Sequence, residues 1–289
     1  MNYVILDLEW NTAFSKSTHS FVNEIIEFGA VKTDAEFNET AAFERLVTPR
    51  IGKKLSGRVK QLTHLTNEDL AGGEDFLSVS RAFEDFVGDS VLMTWGTSDI
   101  HALIENFRFY NRDKTIPFLS SYCDLQEYCE RAIDRFDEGN QIGLGRFAEI
   151  IGVSFSEEEQ HRAAADAYLS LKCMKKVMGG YPLEQCILKA DCEEFYKRML
   201  FKNHFITDLK DPDVDREQMK FSCDVCGRQA RRLKKWRLHN KSFDADFICK
   251  NCGRKFTGRV SFKKRFDGVK VNKRIIEKKE KTEEKQEDT

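Results

Sequence analysis

No run of apolar residues in this chain approaches the ~18 that a membrane-spanning helix requires. Met1-Asn2-Tyr3 carries no basic lead and no small-residue cleavage site, so no secretory leader is read there. The expectation is a cytoplasmic protein with no membrane partner. A disulfide framework is also missing, because nine cysteines are an odd number in a chain without a secretion signal. Five of them, Cys123, Cys129, Cys173, Cys186 and Cys192, are scattered, lack the surroundings of a nucleophile, and read as small buried hydrophobes. Internal repeats are absent apart from two Cys-x-x-Cys pairs. One-sided charge is absent overall, at a net −1, but the total hides a split: residues 220–289 carry +12 and residues 1–219 carry −13. An acidic portion with a basic appendage suits a protein that must approach polyphosphate.

What is present begins at Val4-Ile5-Leu6-Asp7-Leu8-Glu9-Trp10, where two acids sit inside an apolar run. A strand points alternate side chains to opposite faces, so Asp7 and Glu9 share one face. Neighbouring carboxylates repel, and burying them is costly unless a cation joins them. A hard divalent ion, Mg²⁺ or Mn²⁺, accounts for the pair better than Zn²⁺. Further on stand Asp99, which alone reads as a first-turn acid on a helix, then His161 and Asp166. Positions five apart lie roughly 140° apart on a regular helix, so His161 can join Asp166 only from the loop or first turn.

Asp7-x-Glu9, Asp99 and His161-x4-Asp166, in that order, resemble the DEDDh branch of the DnaQ-like 3′–5′ exonucleases. The resemblance covers roughly residues 1–180 and extends to Glu24–Lys32, Leu62–Leu70, Leu144–Val153 and His161–Ala167. The wording around Asp7 and at Thr94–Asp99 is closest to KapD-like and histone-mRNA-end-type exonucleases. One departure is that Trp10-Asn11 stands where many relatives place a Thr; Asn11 is expected to make the equivalent contact to the terminal nucleotide.

The resemblance implies an α/β fold, an RNase H-like mixed five-stranded sheet flanked by helices. It implies in-line attack by water with two Mg²⁺ or Mn²⁺ ions, held by Asp7, Glu9, Asp99 and Asp166, and with His161 as general base. An ordinary imidazole titrates near pH ~6.5, which suits that role. The substrate implied is single-stranded RNA or DNA with a free 3′ end, RNA being favoured. The alternatives are a DNA 3′–5′ exonuclease in repair or proofreading, and an inactive nucleic-acid-binding scaffold.

Hydrophobic periodicity places strands near 3–8, 25–33, 42–48, 91–94 and 117–123. Helices are read near 76–87, from 99, after Asp124 as cap, at 144–151, at 163–178 and at 183–202. The domain expectation is an exonuclease domain at 1–180, a helix and acidic linker at 181–218, a basic zinc ribbon at 219–275, and a charged disordered tail at 276–289.

The ribbon rests on Cys223-x-x-Cys226-Gly227 and Cys249-x-x-Cys252-Gly253, the form of two zinc knuckles, separated by 22 residues. One structural Zn²⁺ is expected, since a four-Cys site leaves no open position for catalysis. Phe243, Ala245 and Phe247 alternate, as do Phe256, Gly258, Val260 and Phe262, which predicts strands around the second knuckle. Arg231, Arg232, Lys234, Lys235, Trp236, Arg237, Lys263, Lys264 and Arg265 supply charge and a stacking surface for nucleic acid. The competing reading of this basic face is a site for a protein partner.

Overall fold

The computed structural model describes residues 1–137, 140–156 and 161–277. The expected tail from residue 278 onward lies outside the described residues. The chain divides into two compact units, Met1–Leu200 and Phe201–Thr289.

The first unit is built on strands β1 (Tyr3–Ser15), β2 (Ser20–Thr33) and β3 (Glu39–Leu46), followed by helices α1 (Gly57–Thr63), α2 (Asn67–Ala71) and α3 (Phe76–Val87). Then come β4 (Val91–Thr94), α4 (Ser98–Tyr110), β5 (Ser121–Asp124), α5 (Leu125–Ala132), α6 (Leu144–Ile151), α7 (Ala163–Val177), β6 (Ile187–Lys189) and α8 (Glu193–Leu200). The sheet order is β3-β2-β1-β4-β5-β6. β1 runs antiparallel to β2 and parallel to β4, and β5 is parallel to β4 but antiparallel to β6.

Alternation along β1 builds both sides of the sheet. Val4, Leu6 and Leu8 face one core, with Val79 and Phe83 of α3, Leu103 of α4 and Phe195 of α8. Tyr3 and Ile5 face the other, with Tyr128 of α5, Phe147 of α6 and Leu171 of α7. Local signals hold where expected. Thr66 and Asp69 exchange the reciprocal bonds of a capping box, and the Asp124 carboxylate accepts the Glu127 N–H at 3.1 Å.

The sheet has six strands rather than five. Residues 183–202 do not form one helix: after a short 3₁₀ turn at Leu183–Cys186, Ile187–Lys189 pair with β5 as an edge strand, and α8 follows. The apolar spacing there belongs to two successive elements. The open edge of β5 presents unpaired backbone groups, and satisfying them outweighs the local helical pattern.

A close approach fixes where α7 starts. A Cβ on Gly29 of β2 would lie 2.0 Å from the Ala163 carbonyl carbon and from the Ala164 nitrogen. The first turn of α7 is thus seated directly on β2, and only glycine leaves room for it.

The second unit pairs β7 (His204–Phe205), β8 (Arg231–Arg232), β9 (Arg237–His239), β10 (Ser242–Ile248), β11 (Lys255–Arg265) and β12 (Gly268–Ile276). Their main order is β12-β11-β10-β8, with β7 on β11 and β9 on β10. The expected alternation is realised in register, with Phe243 opposite Val260, Ala245 opposite Gly258 and Phe247 opposite Phe256. The Phe247 and Phe256 rings stack at 5.6 Å and 7°. Their other neighbours, Asp244 and Asp246, are neutralised by Arg259 at 2.6 Å and Lys234 at 3.8 Å. The acidic segment read as a linker packs on this core through Leu209 and Val214.

Gly29→Ala is expected to displace the start of α7, because the colliding atoms are backbone. The loss expected in urea unfolding is about 3 kcal/mol or more, at the upper end of overpacking costs. Wild-type stability in that variant would contradict the seating.

Candidate active site

Four elements converge on the acids of β1. Asp7 and Glu9 lie on one face, two positions apart, and the irregularity in the β1–β2 register falls just after Glu9. Asp99 stands in the first turn of α4, and its Oδ1 accepts the Leu8 N–H at 3.0 Å, tying α4 to β1 between the two acids. Asp166 stands in the first turn of α7. His161 precedes that helix in a turn, with a left-handed backbone at φ 66°, and its N–H donates to Asp166 Oδ2 at 3.1 Å. This places His161 ahead of the helix, as the spacing to Asp166 requires. Glu157–Gln160 lie outside the described residues. Glu9, His161 and Asp166 offer ligand atoms that all lie within 4.8 Å of one another.

The electrostatics are those of crowded carboxylates. Burial pushes Glu9 up from 4.5 to about 8, with Asp166 and Glu27 adding to the rise. Burial likewise lifts Asp99 from 3.8 to about 7. Asp7 is held well above the usual carboxylate range, first by burial and then by Asp99 and Asp166. Asp166 is raised mainly by burial, and its bond from the His161 N–H works the other way. The nearby guanidinium, Arg162, is already bound to Glu27 and Glu44. An oxygen-rich donor set with excess negative charge fits a hard divalent cation.

Two buried acids not singled out as site residues in the sequence help to position the surrounding elements. Glu27 is fully buried opposite Glu9 on β2. It accepts from Arg162 Nη2 at 2.7 Å and Nε at 3.0 Å, and from the Ala163 N–H at 3.3 Å. This two-pronged bond holds the entrance of α7 over the site. Glu24 is also fully buried and accepts the N–H groups of Ile51 and Gly52, both at 2.8 Å. The visible signal for both was an acid inside the apolar run Glu24–Val31.

Asn11, expected to touch the terminal nucleotide, is only 2 % exposed. Its Oδ1 accepts the Ser56 N–H at 3.1 Å and its Nδ2 donates to the Lys54 carbonyl at 3.4 Å. The structure commits this side chain to positioning the 50–56 loop. Trp10 packs against the core.

In the second unit, Cys223, Cys226, Cys249 and Cys252 converge within 4.8 Å of one another. The two knuckles repeat one geometry. Gly227 and Gly253 N–H groups each donate to the first cysteine carbonyl at 2.9 Å, and both glycines have positive φ, 70° and 75°. Sulfur separations of 3.6 Å for Cys223–Cys252 and 3.4 Å for Cys226–Cys249 approach the ~3.8 Å edge of a tetrahedron with ~2.3 Å metal–sulfur bonds. The N–H groups of Cys252 and Asn251 hold the Cys249 thiol below its ordinary range, while against the pull of the Arg254 N–H the neighbouring sulfurs push Cys252 up to about 11.

The basic residues separate into groups. Arg231, Arg232, Lys235 and Arg237 are exposed, and β8 and β9 both lie along the same side of β10. Trp236 is half-buried between them. Lys234 is paired with Asp246. Lys263, Lys264 and Arg265 lie on β11, on the other side of β10, half-buried, with Lys264 bound to Asp213 at 2.6 Å.

A family model described as RNase_T, Exonuclease, matches residues 4–174. A DNA polymerase III of the PolC type from Streptococcus pyogenes serotype M18 is 26 % identical over 208 residues, covering 70 % of this chain. The chain spans only 13 % of that relative's length. Among solved structures, the nuclease domain of 3′hExo, a DEDDh family member bound to rAMP, superposes with a TM-score of 0.52 at 19 % identity, covering 64 % of this chain and 93 % of that one. A 3′-exonuclease described as recognising the histone mRNA stem-loop gives the same TM-score, 0.52, at 17 % identity, covering 64 % and 83 %.

In metal-free buffer the raised acids of the folded state hold more protons than the unfolded chain does between about pH 4 and 8. Stability contributed by these groups is therefore lost as pH rises through that window. With chelator present, the thermal midpoint is expected to be higher at pH 6 than at pH 8. Asp7→Asn removes one repelling charge and is expected to raise the pH 8 midpoint by about 2–4 °C, the shift for roughly 1 kcal/mol in a domain of this size. A lower midpoint in that variant would contradict the electrostatic description.

Proposed function

Because this chain belongs to the RNase_T exonuclease family, we propose that its first unit is a metal-dependent 3′–5′ exonuclease acting on single-stranded nucleic acid in the cytoplasm, RNA in preference to DNA. The observation that carries this is the convergence of Glu9, His161 and Asp166 beside the raised carboxyls of Asp7 and Asp99. Asp7, Glu9, Asp99 and Asp166 would hold two Mg²⁺ or Mn²⁺ ions. Bound ions of this kind supply Lewis acidity at the phosphoryl group and ease deprotonation of water. His161 is exposed, and its side chain stands beside Glu9 and Asp166. It takes the proton of the attacking water as the terminal phosphodiester is cleaved. The bond from its own N–H to Asp166 fixes where the imidazole begins, and Glu27 with Arg162 fixes Asp166 through α7.

The RNA preference draws on the wording around Asp7 and on neighbours whose names refer to histone mRNA and rAMP. A DNA substrate is the second reading, favoured by the PolC-type relatives. Incubating the protein and Mg²⁺ with end-labelled RNA and DNA strands of matched sequence separates them. Faster stepwise loss from the RNA 3′ end supports the first reading, and faster loss from DNA overturns it.

The four cysteines of the second unit are proposed to bind one structural Zn²⁺, with the basic edge beside β10 gripping the substrate strand rather than a protein partner. A unit with so small a core of its own depends on metal for folding.

Asp7→Asn is expected to abolish Mg²⁺-dependent hydrolysis. His161→Ala is expected to lower turnover by about 10²–10⁴, the usual worth of an acid–base group, with little change in substrate affinity. Near-wild-type turnover in either variant would remove that residue from the mechanism. Cys223→Ser combined with Cys249→Ser is expected to release one zinc per chain, read by elemental analysis, and to leave hydrolysis of very short strands intact. Full zinc retention would contradict the ligand assignment.

A further inference from the structure

We propose that the second unit contains a pocket for one unpaired nucleotide, its base stacked on Trp236 and its phosphate held by Arg216 and Arg232. The proposal rests on the nucleic-acid reading above and narrows it to a particular site.

The second unit carries an open hollow of about 460 Å³, within the ~300–1,000 Å³ range of small-ligand sites. Its walls include Arg216, Met219, Lys220, Gln229, Arg232 and Trp236, and no carboxylate lines it. Lys220 is engaged by Glu217. Among the described residues, Arg216 and Arg232 have no acidic partner. Two uncompensated guanidinium groups around one hollow call for an anion, and guanidinium matches phosphate with a planar pair of donors.

The indole supplies the second element of recognition. Trp236 is half-buried and backed by Phe221 at 6.3 Å and Phe247 at 5.7 Å between ring centroids. It is therefore held as a platform rather than left as a mobile side chain. Bases stack on such platforms with little regard to sequence. Gln229 brings an amide, donor and acceptor together, to the same hollow, which suits the edge of a base. An acidic peptide would satisfy the arginines but leave the flat indole and the Met219 wall without a matching surface.

The pocket is also coupled to the cysteine cluster. Gln229 bridges to Ser222 across the first knuckle, and the Ala230 N–H donates to the Phe221 carbonyl at 2.8 Å. One wall is therefore set by the fold around Cys223 and Cys226.

The test measures binding of a fluorescein-labelled 12-nucleotide single strand, and of an equally long strand without bases, to the full chain with no divalent ion added. Trp236→Ala is expected to weaken the base-bearing strand by about tenfold, within the usual worth of one stacked base, and to leave the base-free strand unchanged. Trp236→Phe is expected to retain most of the affinity. Arg232→Ala and Arg216→Ala are expected to weaken both strands and each to flatten the salt dependence by a little under one unit of slope. Hydrolysis of a trinucleotide by the unsubstituted chain is measured separately with Mg²⁺, which separates failure of this pocket from failure of the exonuclease reading. Because Trp236→Ala removes a ring that packs on the core, Gln229→Ala and Arg232→Ala serve as surface controls. Wild-type binding of both strands by Trp236→Ala, by Gln229→Ala and by Arg232→Ala together would overturn the proposal. So would equal losses for both strands in Trp236→Ala, or displacement of the strand by an oligoglutamate peptide at lower concentration than by unlabelled strand.

Discussion

The ion pair between Glu27 and Arg162 holds the first unit's chemistry in place. Glu27 is fully buried on β2, and Arg162 reaches it with two donors from the residue just before α7. Breaking a buried pair by removing one partner typically costs about 3–5 kcal/mol, because a charge is left without compensation. The pair therefore allows few positions for the start of α7. With Gly29 admitting the helix backbone against β2, His161 and Asp166 are brought beside Glu9. A salt bridge between β2 and the residue before α7 thus sets the position of His161 and Asp166.

The constraint on the other side is repulsion. Crowding Asp7, Glu9, Asp99 and Asp166 is unfavourable to the folded protein by itself, as their raised proton affinities record. No local propensity explains placing them together. The arrangement becomes reasonable once divalent cations neutralise it, and the same charge density then draws cations to the site. Under the proposed metal binding, stability without metal would be exchanged for affinity toward metal, a trade common at functional sites. The second unit gathers four thiols at two matching turns, beside a core of aromatic residues from β10 and β11.

Much of this was legible in the chain. Acids inside an apolar strand pointed to Asp7 and Glu9, although β2 also buries two acids, Glu24 and Glu27, that are satisfied by protein partners. The five-residue step from His161 to Asp166 required the histidine to lie ahead of the helix, and it does. Alternation in the ribbon gave the partners of Phe247 and Phe243 their faces. What stayed hidden depended on distant partners. β6 exists because β5 offers an open edge, which the helical spacing of residues 183–202 does not encode. Asn11 is engaged by a loop some 45 residues away, a partner that its polarity alone did not indicate. Glu27 and Arg162 are ordinary residue types 135 positions apart, and only the fold makes them a pair.

If the acids of β1, α4 and α7 form the proposed cation site, they hold protons more tightly without metal than free carboxylates do. Binding must then displace protons. Calorimetric titration of the protein with Mn²⁺ at pH 7, repeated in two buffers of different ionisation enthalpy, measures that number directly. Saturable binding with net proton release is expected, both abolished by Asp7→Asn. Binding without proton release, or release that persists unchanged in Asp7→Asn, would contradict it.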